Sequence, residues 1–321
     1  MESHGVIPGP QRLESFDIYR TSYKRIRDHE IELGILVPKN LKPGVHPVFV
    51  KFHGGGLVSG TWSYPDWFAN WLVPLVHRNS AIVVSPNYRL VPEHNGEEIQ
   101  EDLRDFWTWQ VTMFNDGGVI KFLRSENVDI ELDYKRVLVG GDSAGGYLAI
   151  HSGLIRPKGE IRVIIGSYPM TNYLRRDQQE FFMGEPSPPP SIIDEHMANV
   201  KPGEIVSGAP PRPRNRISYA LSAYGRYNEF FGTGAHLWPI SLLPNAEYLP
   251  PTAILHGNAD TAVSIHDSEL FVKKVREFLG DEAEIKLVEM EGMDHGFDMN
   301  ATESEEWVRD IVGWIEKRWV R

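Results

Sequence analysis

Cysteine is missing from this chain of 321 residues. With it go disulfides, thiolate nucleophiles, zinc–thiolate sites and iron–sulfur clusters. Long apolar runs are missing too, since nowhere do about 18 consecutive residues read as a membrane span. The first thirty residues are interrupted by Arg12, Asp17, Arg20, Lys24 and Glu30 before the apolar core of a secretory signal can form. The C-terminal Lys317, Arg318, Trp319, Val320 and Arg321 match no simple address or lipidation pattern. A cytoplasmic location is the expectation. Positive charge is also scarce, with 33 Lys and Arg against 44 Asp and Glu and a net charge of −11. Phosphate backbones and anionic lipid call for clustered basic residues, so neither nucleic acid nor a membrane is expected as a partner. H-E-x-x-H, the P-loop and G-x-G-x-x-G are all absent, which argues against metal- or nucleotide-dependent chemistry.

What is present is the periodicity of a layered protein. Short apolar runs rich in β-branched residues occur at 30–37, 47–52, 81–86, 136–140, 161–167, 252–256 and 284–290, and these read as strands. Helical spacing fills most of the gaps, as at 143–155, 263–279 and 303–319, where Trp307, Ile311, Trp314 and Ile315 share a face. Runs such as Val48-Phe49-Val50 and Val137-Leu138-Val139 lack polar alternation, as central strands of a mostly parallel sheet covered on both faces do. The fold class is α/β. From about 170 to 249 the alternation fails, and eight prolines, Pro186 to Pro213, stand among Phe181, Phe182, Tyr219, Tyr224, Tyr227, Phe230, Phe231 and Trp238. A structureless loop of that length is improbable in a compact domain, so this block reads as short helices lying over the sheet as a lid. A surface excursion or a dimerisation arm is the alternative.

Chemistry concentrates in four places. Gly141-Asp142-Ser143-Ala144-Gly145 follows one strand and opens a helix, a sharp turn that lifts a serine hydroxyl clear of the sheet. His53-Gly54-Gly55-Gly56 follows another strand, and a loop without side chains brings main-chain N–H groups close to a ligand oxygen. His53 itself precedes the serine, the wrong chain order for a base on such a turn, and reads as an organiser of its loop. A serine nucleophile needs a histidine base oriented by a carboxylate. Asp260 and His295 both follow strand ends, in the order Ser, Asp, His. His256 falls within a strand as a core residue, and His266 opens the next helix as a cap. Asp294 adjoins His295 and points away along an extended chain, while Asp267 and Asp281 fall in or beside helices, leaving Asp260 as the acid.

These motifs, with Asn87-Tyr88-Arg89-Leu90-Val91-Pro92-Glu93 and Asp294-His295-Gly296-Phe297, resemble the hormone-sensitive-lipase-like branch of the α/β-hydrolase superfamily, carboxylesterases with an HGGG loop. The resemblance runs from about residue 45 to the C-terminus. It implies an eight-stranded, mostly parallel sheet, a cap formed by the 170–249 insertion and the N-terminal segment 1–28, and ester hydrolysis without a cofactor. It also implies oxyanion donors at the backbone N–H groups of Gly55, Gly56 and Ala144, with Leu57, where the family usually has an aromatic residue, bordering the acyl pocket. The aromatic insertion points to a small to medium apolar acyl group. A specialised hydrolase or acyltransferase acting on a thioester or lactone is the nearest alternative, and a non-catalytic small-molecule receptor the next. A second copy of the chain is the one protein partner left open.

Overall fold

The computed structural model describes residues 5–111, 118–173 and 180–321. Residues 1–4 and 174–179, parts of the two segments expected to form the cap, lie outside the described residues. Eight strands form one sheet in the order β1-β2-β4-β3-β5-β6-β9-β10. They are β1 Phe16–Ile26, β2 His29–Pro38, β3 Val45–Phe52, β4 Ile82–Pro86, β5 Glu131–Asp142, β6 Val163–Ser167, β9 Thr252–Gly257 and β10 Ile285–Met290. The β7 Phe181–Phe182 and β8 Glu185–Pro186 pair forms a separate two-stranded hairpin. From β4 to β10 every pairing is parallel, and β2 alone runs against its neighbours.

The uninterrupted apolar runs are the central strands. Successive side chains of a strand point to opposite faces, and β3 divides accordingly. Val48, Val50 and Phe52 enter one core, with Val139, Ile164 and Ile254, while Phe49 enters the other, with Val83, Leu138 and Leu255. The first core is covered by α2 (Gly96–Val111), α3 (Gly118–Ser125), α4 (Ala144–Ile155) and α9 (Ile265–Leu279). The second is covered by α1 (Leu72–Arg78) and α10 (Glu306–Trp319). On α10 the buried stripe is Val308, Ile311, Val312, Ile315 and Trp319, and each such side chain contributes about 1.5–3 kcal/mol. That stripe is rotated from the expected one, because Trp307 and Trp314 sit at its margins.

One strand differs from the sequence reading. The segment expected to contribute to a cap contains β1, which pairs antiparallel with β2 along the sheet edge. An edge strand with one face open to water tolerates Asp17, Arg20 and Arg25, and Lys24 is held by Asp102 and Asp105 of α2, so its charges concealed it. Between β6 and β9 lie α5 (Ser191–Asn199), α6 (Pro211–Ala223), α7 (Tyr227–Phe231) and α8 (Pro239–Leu242). Their aromatic residues stack mainly on one another and on α4, with Phe231–Trp238 ring centroids at 4.8 Å and Tyr147–Trp238 at 5.9 Å.

Candidate active site

Parallel strands deliver the ends of β3, β5, β6, β9 and β10 to one edge of the sheet, where ligands of open α/β sheets collect. At the end of β5 the chain reverses into α4 within one residue. Ser143 has φ 55° and ψ −116°, a strained conformation for a residue with a Cβ. The turn closes because its neighbours are glycines. A Cβ on Gly141 would run into the backbone of Gly145, and one on Gly145 into the Phe52 carbonyl of β3. Asp142, between Gly141 and Ser143, forms a buried ion pair with Lys51 of β3 at 3.0 Å, locking the turn to the neighbouring strand.

Ser143 and His295 face a shared cavity of about 170 Å³. The Asp260 side chain, which is buried and does not line the cavity, meets His295 with Nδ1 to Oδ2 at 2.7 Å. The other carboxylate oxygen accepts the N–H groups of Ala262 and Val263 at 2.8 Å each. His256 closes the ring, its Nε2 3.3 Å from Asp260 Oδ2. Burial alone would push the Asp260 carboxyl up, but hydrogen bonds from His256, His295 and the Val263 N–H outweigh it and hold the group below the ordinary carboxylate range. The Ser143 hydroxyl lacks a hydrogen-bond partner among the described residues. Contacts of this kind often tighten only around a substrate.

The glycine loop borders the same cavity through Gly55 and Gly56. Their φ values are 101° and 63°, and the N–H groups of Gly55, Gly56 and Ala144 have no acceptor among the described residues. His53 holds this loop. Its Nδ1 lies 2.9 Å from the Gly54 carbonyl, and its ring stacks on Tyr88 at 4.4 Å. The Tyr88 hydroxyl donates to the His53 carbonyl at 2.7 Å. Burial pushes the His53 imidazole down to about 3, so it stays neutral near pH 7.

Leu57 is displaced from its expected place. Its side chain is buried in the first core, and the cavity wall does not include it. With φ at 58°, the chain turns there and sends the side chain beneath the loop. His266 is exposed on α9 and pairs with Glu269, while the Ser264 hydroxyl provides the cap. Asp294 accepts the Thr261 N–H at 2.8 Å and bonds His295 only through its main-chain N–H.

Several lining residues escaped the sequence reading. Tyr168, at the end of β6 with φ 39°, sets its ring 4.3 Å from that of His295 and donates its hydroxyl to Asp298 at 2.7 Å. Asp298 also receives Ser167 at 2.9 Å. Burial, helped by the Asp142 charge, raises its carboxyl despite those hydrogen bonds. From the insertion come Phe182, Met183, Asn215, Ser218, Tyr219 and Ser222. On α6, Asn215, Ser218, Tyr219 and Ser222 follow helical i, i+3, i+4, i+7 spacing, a signal hidden by the surrounding prolines. Among the described residues no group of three or more His, Asp or Glu is placed to hold a metal ion, and no helix is long and apolar enough to cross a membrane.

The parallel sheet, the serine at a strained strand–helix turn and the facing histidine are those of an α/β-hydrolase fold. Residues 49–203 match the model of a family described as having the alpha/beta hydrolase fold. A probable carboxylesterase, M8, from Phoma sp. is 28% identical over 97% of this chain and 99% of its own. Another, clz11 from Cochliobolus lunatus, is 29% identical over 58% of this chain and 87% of its own. The solved Pyrobaculum calidifontis esterase shares the fold, with a TM-score of 0.61 at 20% identity, covering 97% of this chain and 89% of that one. The chain has the α/β-hydrolase fold, is similar in sequence to carboxylesterases and is a hydrolase of carboxylesterase type.

Proposed function

We propose that the chain is a serine hydrolase that cleaves carboxylic esters of small to medium acyl groups through an acyl-enzyme. Ser143 Oγ attacks the acyl carbon while His295 Nε2 takes the hydroxyl proton, and Asp260 holds the opposite ring nitrogen as a donor. The oxygen that gains charge is received by the N–H groups of Gly55, Gly56 and Ala144, each worth about 3 kcal/mol where such donors are preorganised. His295 then protonates the departing alkoxide. Water, activated by the same histidine, releases the acid and restores Ser143.

The observation that carries this reading is the 2.7 Å hydrogen bond between the buried Asp260 side chain and His295, which lines the cavity that Ser143 also faces. The segment between β6 and β9 acts as the cap, since it supplies Phe182, Asn215, Ser218 and Ser222 to the cavity wall. The cavity of about 170 Å³ suits short acyl chains rather than long ones, with Met170, Met183 and Val263 as its apolar part. The test is hydrolysis of p-nitrophenyl esters from acetate to decanoate by the wild type and Ser143→Ala, with fluorophosphonate labelling alongside. Turnover and labelling that both vanish in Ser143→Ala support the assignment. A wild type that neither turns over nor labels refutes it.

A further inference from the structure

We propose that the α6 wall of the cavity recognises an oxygen-bearing substituent close to the scissile bond, so that the preferred substrates are hydroxy- or oxo-substituted esters rather than plain alkyl esters. This deepens the serine-hydrolase reading and rests on it.

The two faces of α6 do different things. Ile217, Ala220 and Leu221 are buried in the first core, which fixes the rotation of the helix. The opposite face turns Asn215, Ser218, Tyr219 and Ser222 into the cavity. A polar stripe directed inward costs stability unless its groups are hydrogen-bonded, and here the bonding is incomplete. Asn215 accepts from Ser59 at 2.8 Å and also bonds Tyr219. Ser222 accepts from Tyr173 at 2.8 Å, and its own proton has no acceptor among the described residues. The Ser218 hydroxyl has no partner at all among the described residues, although Ser218 is only 7% exposed.

Ser218 also lies where a substrate would feel it. A Cβ on Gly56 would be 2.5 Å from Ser218 Oγ, so this hydroxyl sits against the loop that offers its N–H groups to the ester oxygen. Ser218 and Ser143 line the same cavity, so an oxygen close to the scissile carbonyl is presented to this hydroxyl. The facing wall of Met170, Phe182, Met183, Val263 and Met299 accepts the hydrocarbon side of the same group. The insertion's aromatic residues, which suggested a purely apolar substrate, are mostly spent on packing against α4: Tyr227, Phe231 and Trp238 belong to the first core. A site built to hydrogen-bond a substrate oxygen discriminates strongly against the analogue lacking it, because its own buried groups are then left unpaired.

The experiment compares matched pairs: p-nitrophenyl butyrate with its 3-hydroxy and 3-oxo counterparts for the acyl side, and ethyl with 2-hydroxyethyl butyrate for the alcohol side. In the wild type, kcat/KM for the oxygenated member of at least one pair is expected to be higher by about 10-fold or more. In Ser218→Ala, and further in Ser218→Ala/Ser222→Ala, that ratio falls toward one. Calorimetric binding of the same esters to Ser143→Ala separates this inference from the triad. An oxygenated-over-alkyl binding preference that needs Ser218 sustains it even if the serine is not the nucleophile. Equal or reversed preference in every pair, or a preference that survives in the double variant, overturns it.

Discussion

Asp260→Asn is the substitution whose outcome the geometry constrains most tightly. Two main-chain N–H groups, from Ala262 and Val263, converge on Oδ1 at 2.8 Å each, so the amide oxygen stays there and the NH2 takes the Oδ2 position. It then faces His295 Nδ1 and His256 Nε2. A donor opposite Nδ1 turns that nitrogen into an acceptor and moves the ring proton to Nε2, where it prevents proton uptake from Ser143. Enforcing the wrong tautomer costs a triad about 10⁴-fold in kcat, equivalent to about 5.5 kcal/mol of transition-state stabilisation. Flipping the amide gives no escape, since the NH2 would then oppose two N–H donors, leaving buried groups unpaired at about 1–3 kcal/mol each. Asp260→Ala imposes no tautomer and is expected to retain more activity than Asp260→Asn. The assay is p-nitrophenyl butyrate hydrolysis normalised to folded protein by circular dichroism. The reasoning fails if Asp260→Asn keeps more than about a tenth of wild-type kcat/KM, or if the Ala variant, properly folded, is the weaker of the two.

Acid sensitivity follows from two buried imidazoles, His53 and His151, each lowered by burial to about 3. Their native values lie below the unfolded one, so protons bind the unfolded chain first and stability falls with pH from about 6.5 downward. Together they give a slope of about 2.7 kcal/mol per pH unit between pH 6 and 4. Urea unfolding across that range should show His151→Phe lowering the slope by about 1.4 kcal/mol per pH unit, and an unchanged slope would contradict the assignment. Arg214 of α6 pairs with Glu93, whose side chain is 2% exposed, and donates to the Val91 carbonyl. Arg214→Ala leaves that carboxylate with only His196 and its own main-chain N–H and should cost about 3–5 kcal/mol in thermal or chemical unfolding, with Arg214→Lys recovering only part because it loses the bidentate geometry. Gly145→Ala drives a Cβ into the Phe52 carbonyl; a loss of about 1–3 kcal/mol together with a fall in fluorophosphonate labelling rate would show that the turn, and not only the fold, is disturbed.

Legibility in the sequence followed burial. Strands β3, β5 and β9, buried on both faces, declare themselves as unbroken apolar runs, and the loops after β5, β9 and β10 could be read from their position beyond those runs. Strand β1 stayed hidden because an edge strand has no need of such a run. Leu57 was misplaced for a different reason: the family resemblance put it at the border of the acyl pocket, but a positive φ turns its side chain into the core. The contact of His256 with Asp260 depends on the chain folding back over four residues after β9, and no spacing rule announces it. The polar stripe of α6 has a readable period, yet the flanking prolines disguised the helix that carries it.

The insertion does more than roof the cavity. The Tyr227 hydroxyl donates to the Gly56 carbonyl at 2.9 Å, and Asn215 holds Ser59 at the far end of the glycine loop. Two hydrogen bonds from the roof therefore help set the pose of the loop beneath it. Roof and floor are not interchangeable parts: a chimaera carrying another esterase's segment between β6 and β9 would inherit a loop with its supports removed. For engineering, the transplantable unit is that segment together with residues 54–60, exchanged as one piece.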